Sequence, residues 1–128
     1  MSSDKGIFLC IAGSREFKNY KLFKLLFEKY IRPDIEQKHG DIEYIIDGVC
    51  PSGGVDEMAN EYAKKTGLSW RRFPADWRKH GKAAGPIRNA EMAEHADVLW
   101  CYHIGGKGST DVIKQFKKRG KPVIETRV

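Results

Sequence analysis

Long apolar runs are missing from this 128-residue chain. No stretch approaches the roughly 20 apolar residues that cross a bilayer, which excludes a helical membrane span and leaves no membrane partner. Cysteine is scarce: Cys10, Cys50 and Cys101 form an odd set with no CxxC spacing. That excludes a disulfide framework. Two of the three fall in strand-like apolar runs, so buried free thiols in a reducing, cytoplasmic setting are expected. The histidines His39, His80, His95 and His103 show no ligand spacing with cysteines or carboxylates, so no metal is expected. No serine has the context of a nucleophile elbow. No P-loop occurs, and "GGKGST" resembles one only superficially. No cofactor is implied. Linkers, repeats and low-complexity segments are absent as well, so residues 1–128 read as a single domain.

What is present is an ordinary globular mixture with a formal charge of +6. The excess of positive charge favours an anionic partner without choosing between a nucleotide and a nucleic acid. Part of it, in "KQFKKRGK", suits the C-terminal end of a helix. The opening "MSSDKGIFLCIAG" has too short an apolar stretch for a secretory signal and reads as a first strand.

Short apolar runs at "GIFLCIAG", "IEYIID", "LSWRRF", "DVLWCYHI" and "KPVIET" suit buried strands. Helical spacing separates them. Leu22, Phe23, Leu26, Phe27 and Tyr30 recur on one face, with Pro33 expected to end that helix. Met58, Ala59, Tyr62 and Ala63 share a second face that stops at Gly67. "PADWRKHGKAAG" has no useful period and reads as a loop. A third helix follows Pro86 with Ile87, Ala90 and Ala93 on one side, and a fourth turns Val112, Ile113 and Phe116 inward. Strict alternation of strand and helix predicts a Rossmann-like α/β three-layer sandwich. Its sheet would have about five parallel strands, with helices on both faces.

In such a sheet the loops after the strands open on one rim, where ligands bind. Gly13, Ser14 and Arg15 follow the first strand, Ser52, Gly53 and Gly54 the second, and Gly105, Gly106, Lys107, Gly108, Ser109 and Thr110 the fourth. Glycine permits close approach of backbone to an anion, and a helix N-terminus supplies free N–H groups, which together make a phosphate site. Ser109 and Thr110 also suit plain N-caps. Arg88 and Asn89 start near the same rim; Arg88 offers a fork of donors, or else pairs with Glu91 or Asp76 at the surface. Asp76 suits ribose hydroxyls. Trp77 suits a base, or pins its loop to the core. Asp56, two residues past Gly54, either stabilises its own helix start or faces the ligand.

The stretches "IAGSREF", "CPSGGVDEMANEYA", "FPADWRKHGKAAGPIRNAEMAEHAD" and "GGKGSTDVI" resemble the YspA-type branch of the SLOG superfamily from about Ile7 to Val123. That superfamily joins the DNA-processing protein DprA with the LOG phosphoribohydrolases. The resemblance implies a Rossmann-like fold, a nucleotide or nucleotide-derived ligand, frequent homodimers or higher oligomers, and a home in bacteria and their phages. LOG enzymes carry Pro-Gly-Gly-x-Gly-Thr-x-x-Glu. Here Gly105, Gly106 and Gly108 match it, Ile104 replaces the proline, Ser109 the threonine, and Val112 the catalytic glutamate. Phosphate recognition therefore carries over and the acid/base group does not; Asp76 and Glu91 remain as substitute carboxylates. A Ser-Gly-Gly start expected after the second strand is Asp47-Gly48-Val49 here. Three readings follow: a nucleotide binder, an N-glycosidic-bond hydrolase, and a DNA- or RNA-binding module.

Overall fold

A computed structural model describes residues 6–127. Five strands, β1 (Ile7–Gly13), β2 (Ile42–Asp47), β3 (Ser69–Arg72), β4 (Val98–His103) and β5 (Val123–Arg127), form one sheet in the order β3-β2-β1-β4-β5. Every pairing is parallel. The helices are α1 (Tyr20–Leu26), α2 (Arg32–His39), α3 (Val55–Thr66), α4 (Trp77–His80), α5 (Ala84–His95) and α6 (Lys107–Lys118). The expected Rossmann-like sandwich is the observed fold. Among the described residues no helix is long and apolar enough to cross a membrane.

Strand alternation divides the core in two. Leu9, Ile11, Ile45, Val98 and Trp100 point to the face covered by α1 and α3, where they meet Phe23, Phe27, Met58 and Tyr62. Cys10, Ala12, Ile46, Leu99 and Cys101 point to the other face, against Met92 and Ala93 of α5 and Val112 and Phe116 of α6. Burial of these side chains stabilises the fold by about 25 cal/mol for each Å² of apolar surface. β1 and β4 are covered on both sides, so they are apolar throughout and show no simple alternation.

Two local expectations are corrected. Pro33 does not end the first helical run. Its missing N–H and its ring break the usual four-residue ladder. A π-helical turn at Phe27–Ile31, closed by the Arg32 N–H on the Phe27 carbonyl, absorbs the break, and α2 continues to His39. The stretch read as a loop holds α4 and a 3₁₀ turn at Gly81–Ala83. α5 therefore begins at Ala84, with no side-chain cap, and Arg88 and Asn89 lie just beyond its first turn.

Candidate functional site

The strand order reverses between β1 and β4, so the connections leaving these two strands diverge and open a crevice at their carboxyl ends. Gly13 sets its floor. A Cβ there would overlap the Tyr102 carbonyl, so only glycine lets β1 lie flush against β4 at this point. Ser14 then ties three elements together. Its N–H donates to the Tyr102 carbonyl at 3.1 Å, its hydroxyl accepts from the Ile104 N–H at 3.1 Å, and its carbonyl accepts from the Val55 N–H at 3.2 Å. The resulting cleft has a volume of about 580 Å³.

One wall is the start of α6. Gly105 and Gly106 both have φ of 105°, a conformation that disfavours any side chain, and Gly106 is an N-cap without a capping side chain. The first turn, Lys107 to Ser109, lines the cleft. Early N–H groups of a helix have no intrahelical partner and carry partial positive charge, so this wall suits an anion. The loop is held from behind. His103 Nδ1 accepts the Gly105 N–H at 2.9 Å, so the ring donates from Nε2 to Glu125 at 2.7 Å. Burial pushes the pKa of the Cys101 thiol up to about 12, against the lowering influence of Ser109.

The opposite wall is α5. Arg88 donates from Nη1 to the Gly48 carbonyl and from Nε to Asn89 Oδ1 at 2.9 Å. Asn89 in turn donates to Asp111 at 3.0 Å, which ties α5 to α6. A Cβ at Gly48 would lie 2.6 Å from Arg88 Nη1, so a side chain there would displace the guanidinium. The surface pairing of Arg88 with Glu91 or Asp76 is not observed. Behind it, Asp47 is fully buried, bonded to Arg72 and to the Val49 N–H. Burial raises the pKa of Asp47 despite these bonds. Val49 takes a φ of 55°, left-handed backbone at the position where the family resemblance places glycine.

Asp56 projects into the cleft from the first turn of α3. It is 9% exposed, and among the described residues no hydrogen bond or ion pair reaches its carboxylate. Burial, then the charge of Asp47, raise its pKa to about 7; Arg88 opposes them. Trp77 stands at the cleft rim with 58% of its surface exposed, so its ring is available to a ligand rather than pinned in the core.

Most residues expected at the rim converge on this one cleft, including Arg88 and Lys107 from opposite sides. Five do not line it. Gly53 donates its N–H to the Cys50 carbonyl at 3.0 Å. Gly54 packs against the Arg15 backbone and only shapes the turn. Asp76 caps α4, accepting the Lys79 N–H at 3.1 Å. Glu91 is solvent-exposed on α5 and does not line the cleft. Thr110 donates its hydroxyl to the Gly106 carbonyl. Neither Ser109 nor Thr110 is an N-cap, because the helix starts earlier than they do. The carboxylates expected to replace the missing glutamate are thus absent from the cleft wall; of the two carboxylates that do line it, Glu16 is exposed and paired with Arg15, and Asp56 is buried. Its position was legible in the sequence; its lack of a direct ion-pair partner among the described residues was not. Val49 and Cys50 also line the cleft, a contribution that composition did not signal.

No protein-family model matches the chain. It is 35% identical over 80 residues to the Gene 61 protein of Mycobacterium phage D29, a match covering 56% of this chain and 62% of that relative.

Proposed function

We propose that the cleft binds a phosphate-bearing small molecule of the nucleotide class, and that the chain is a member of the YspA-type branch of the SLOG superfamily. The observation that carries the reading is the uncapped, glycine-led start of α6 opening into the same cleft as Arg88 and Trp77. Phosphate oxygens meet the free N–H groups of Lys107 to Ser109 and the Lys107 ammonium. The two bonds made by Arg88 hold its guanidinium at the opposite wall, and its Nη2 has no partner among the described residues. Trp77 offers a face for a base. A similarity to a phage protein agrees with the phage and bacterial distribution implied by the resemblance.

Thermal shift with nucleotides, cyclic nucleotides and ADP-ribose derivatives tests this. A ligand at 100 times its Kd stabilises the fold by about 2.7 kcal/mol and raises the midpoint by several degrees. Arg88→Ala abolishes the shift. Gly108→Val does so too without touching the core, because nothing lies within 4 Å of a Cβ at Gly108. A shift retained in both variants sinks the reading. An oligonucleotide whose affinity falls steeply with salt would instead support the nucleic-acid module.

A second reading is favoured by Asp56. A carboxyl group in the cleft that titrates near neutrality suits general acid/base chemistry, so hydrolysis of a nucleotide N-glycosidic bond is the alternative. Release of free base from the same panel, lost in Asp56→Asn, distinguishes turnover from binding.

A further inference from the structure

An anion entering this cleft from the α6 side meets a carboxyl group on the far wall. Among the described residues none neutralises that group by direct contact. Arg72 is bonded to Asp47 and Glu57, and Arg88 to Gly48 and Asn89, so neither adjacent cation bonds Asp56. Two further acids, Asp47 on β2 and Glu57 on α3, add negative field; the thiols of Cys10 on β1 and Cys101 on β4 lie close, and Arg15, Glu16, Cys50 and Lys107 line the same cleft. The three features, burial, absence of a partner and shared cleft, make an ionised Asp56 a poor neighbour for a phosphate. A neutral carboxylic acid is a good one, since it supplies a hydrogen-bond donor.

We propose that Asp56 recognises the ligand as a protonated carboxylic acid, donating its O–H to an acceptor oxygen of the bound anion, so that binding draws one proton into the cleft. This rests on the anion-binding reading of the cleft. The ordinary pKa of aspartate would leave the group ionised in a neutral cell, whereas burial here moves its titration to about pH 7, within reach of a ligand-driven change. The consequence is a site that selects ligands with an acceptor facing Asp56 and binds them more tightly as pH falls through neutrality. Above the titration midpoint the proton comes from solvent; below it the group is already loaded.

The test follows the Asp56 carboxyl carbon by NMR through a pH titration of the whole protein, with Asp56→Asn to assign the signal. Sulfate is the probe, because it stays a dianion throughout and any pH dependence then belongs to the protein. In the free protein the midpoint lies near 7, and a midpoint in the ordinary aspartate range overturns the proposal. With sulfate, the amide signals of Lys107 to Ser109 shift and the Asp56 midpoint rises. Sulfate affinity falls roughly tenfold between about pH 6 and pH 8, the size of one like-charge contact, and this dependence vanishes in Asp56→Asn. If those amides shift while the midpoint stays or falls, the proton-donor role is wrong and the anion site stands. If no amide shifts at any pH, the anion site itself is wrong and the proposal goes with it.

Discussion

Two helix starts face the cleft, and they differ in what surrounds them. α3 begins at Val55 behind Gly54, and α6 at Lys107 behind Gly106; both leading glycines have positive φ and neither helix has a side-chain cap. At α3 the end is closed. Ser14 takes the Val55 N–H, the Arg15 backbone packs against Gly54, and Asp56 supplies a carboxyl group. At α6 the end is open. Space surrounds Gly106 and Gly108, and the only bond the Gly105 N–H makes is to the His103 ring behind it. The same motif thus serves as a structural joint in one place and a candidate anion cradle in the other. A glycine-led helix start is therefore not a binding site by virtue of its residues. What decides is whether the chain packed against it leaves the N–H groups accessible.

Substitutions sharpen this contrast. Gly54→Ala has the largest expected effect: it combines a clash with the Arg15 backbone and a disfavoured φ, and should lower stability by about 3 kcal/mol in urea unfolding. A near-neutral result would mean the α3 joint is looser than described. Asp56→Asn comes next. The folded pKa of Asp56 is raised above that of the unfolded chain, so its stabilising contribution is present in acid and lost as pH rises from about 4 to about 7. The variant should unfold about 2 kcal/mol later than wild type above pH 7, with the gap closing in acid. An equal gap at all pH values would show that Asp56 keeps an ordinary pKa. Val49→Gly should add about 1 kcal/mol, because it relieves left-handed strain at a β-branched residue while adding some unfolded-state entropy. Destabilisation by chemical denaturation would contradict the strained turn. Gly108→Ala has the smallest effect on stability, a gain of about half a kcal/mol from helix propensity. Its anion affinity should nevertheless fall, as read by calorimetric titration. The two glycines would then separate cleanly, one for folding and one for binding.

The family resemblance and the partial match to a phage protein bear on the contrast as well. The Gly-Gly-x-Gly stretch from Gly105 to Gly108 matches the phosphate-binding motif of LOG enzymes, and it is the open end. Val112 of α6 stands where the resemblance would put the LOG glutamate, and the acid next to it, Asp111, is bonded to Asn89. The buried carboxyl group at the cleft comes from α3 instead, so acid and open helix start belong to different helices.

Much of this was legible in the residues themselves. Apolar runs separated by helical spacing specify strand and helix in turn, because burial on both faces of a parallel sheet demands it. The carboxyl-end rim follows from that alternation, and with it the meeting of Ser14, Arg88 and Lys107 at one crevice. Local signals also misled where a neighbouring turn compensated. Pro33 did not stop its helix, since the π-helical turn before it took up the break. Asp76 and Trp77 are adjacent in the chain, yet a helix start places the carboxylate on its own backbone and leaves the indole at the cleft. Helix starts, caps and spacing are local properties, so sequence determined them. Which N–H groups stay open, which arginine meets which carbonyl, and which carboxyl group is left without a direct partner depend on segments 40 to 90 residues apart coming together. Only the tertiary packing decided those, because electrostatic environment is a property of neighbours in space rather than in the chain.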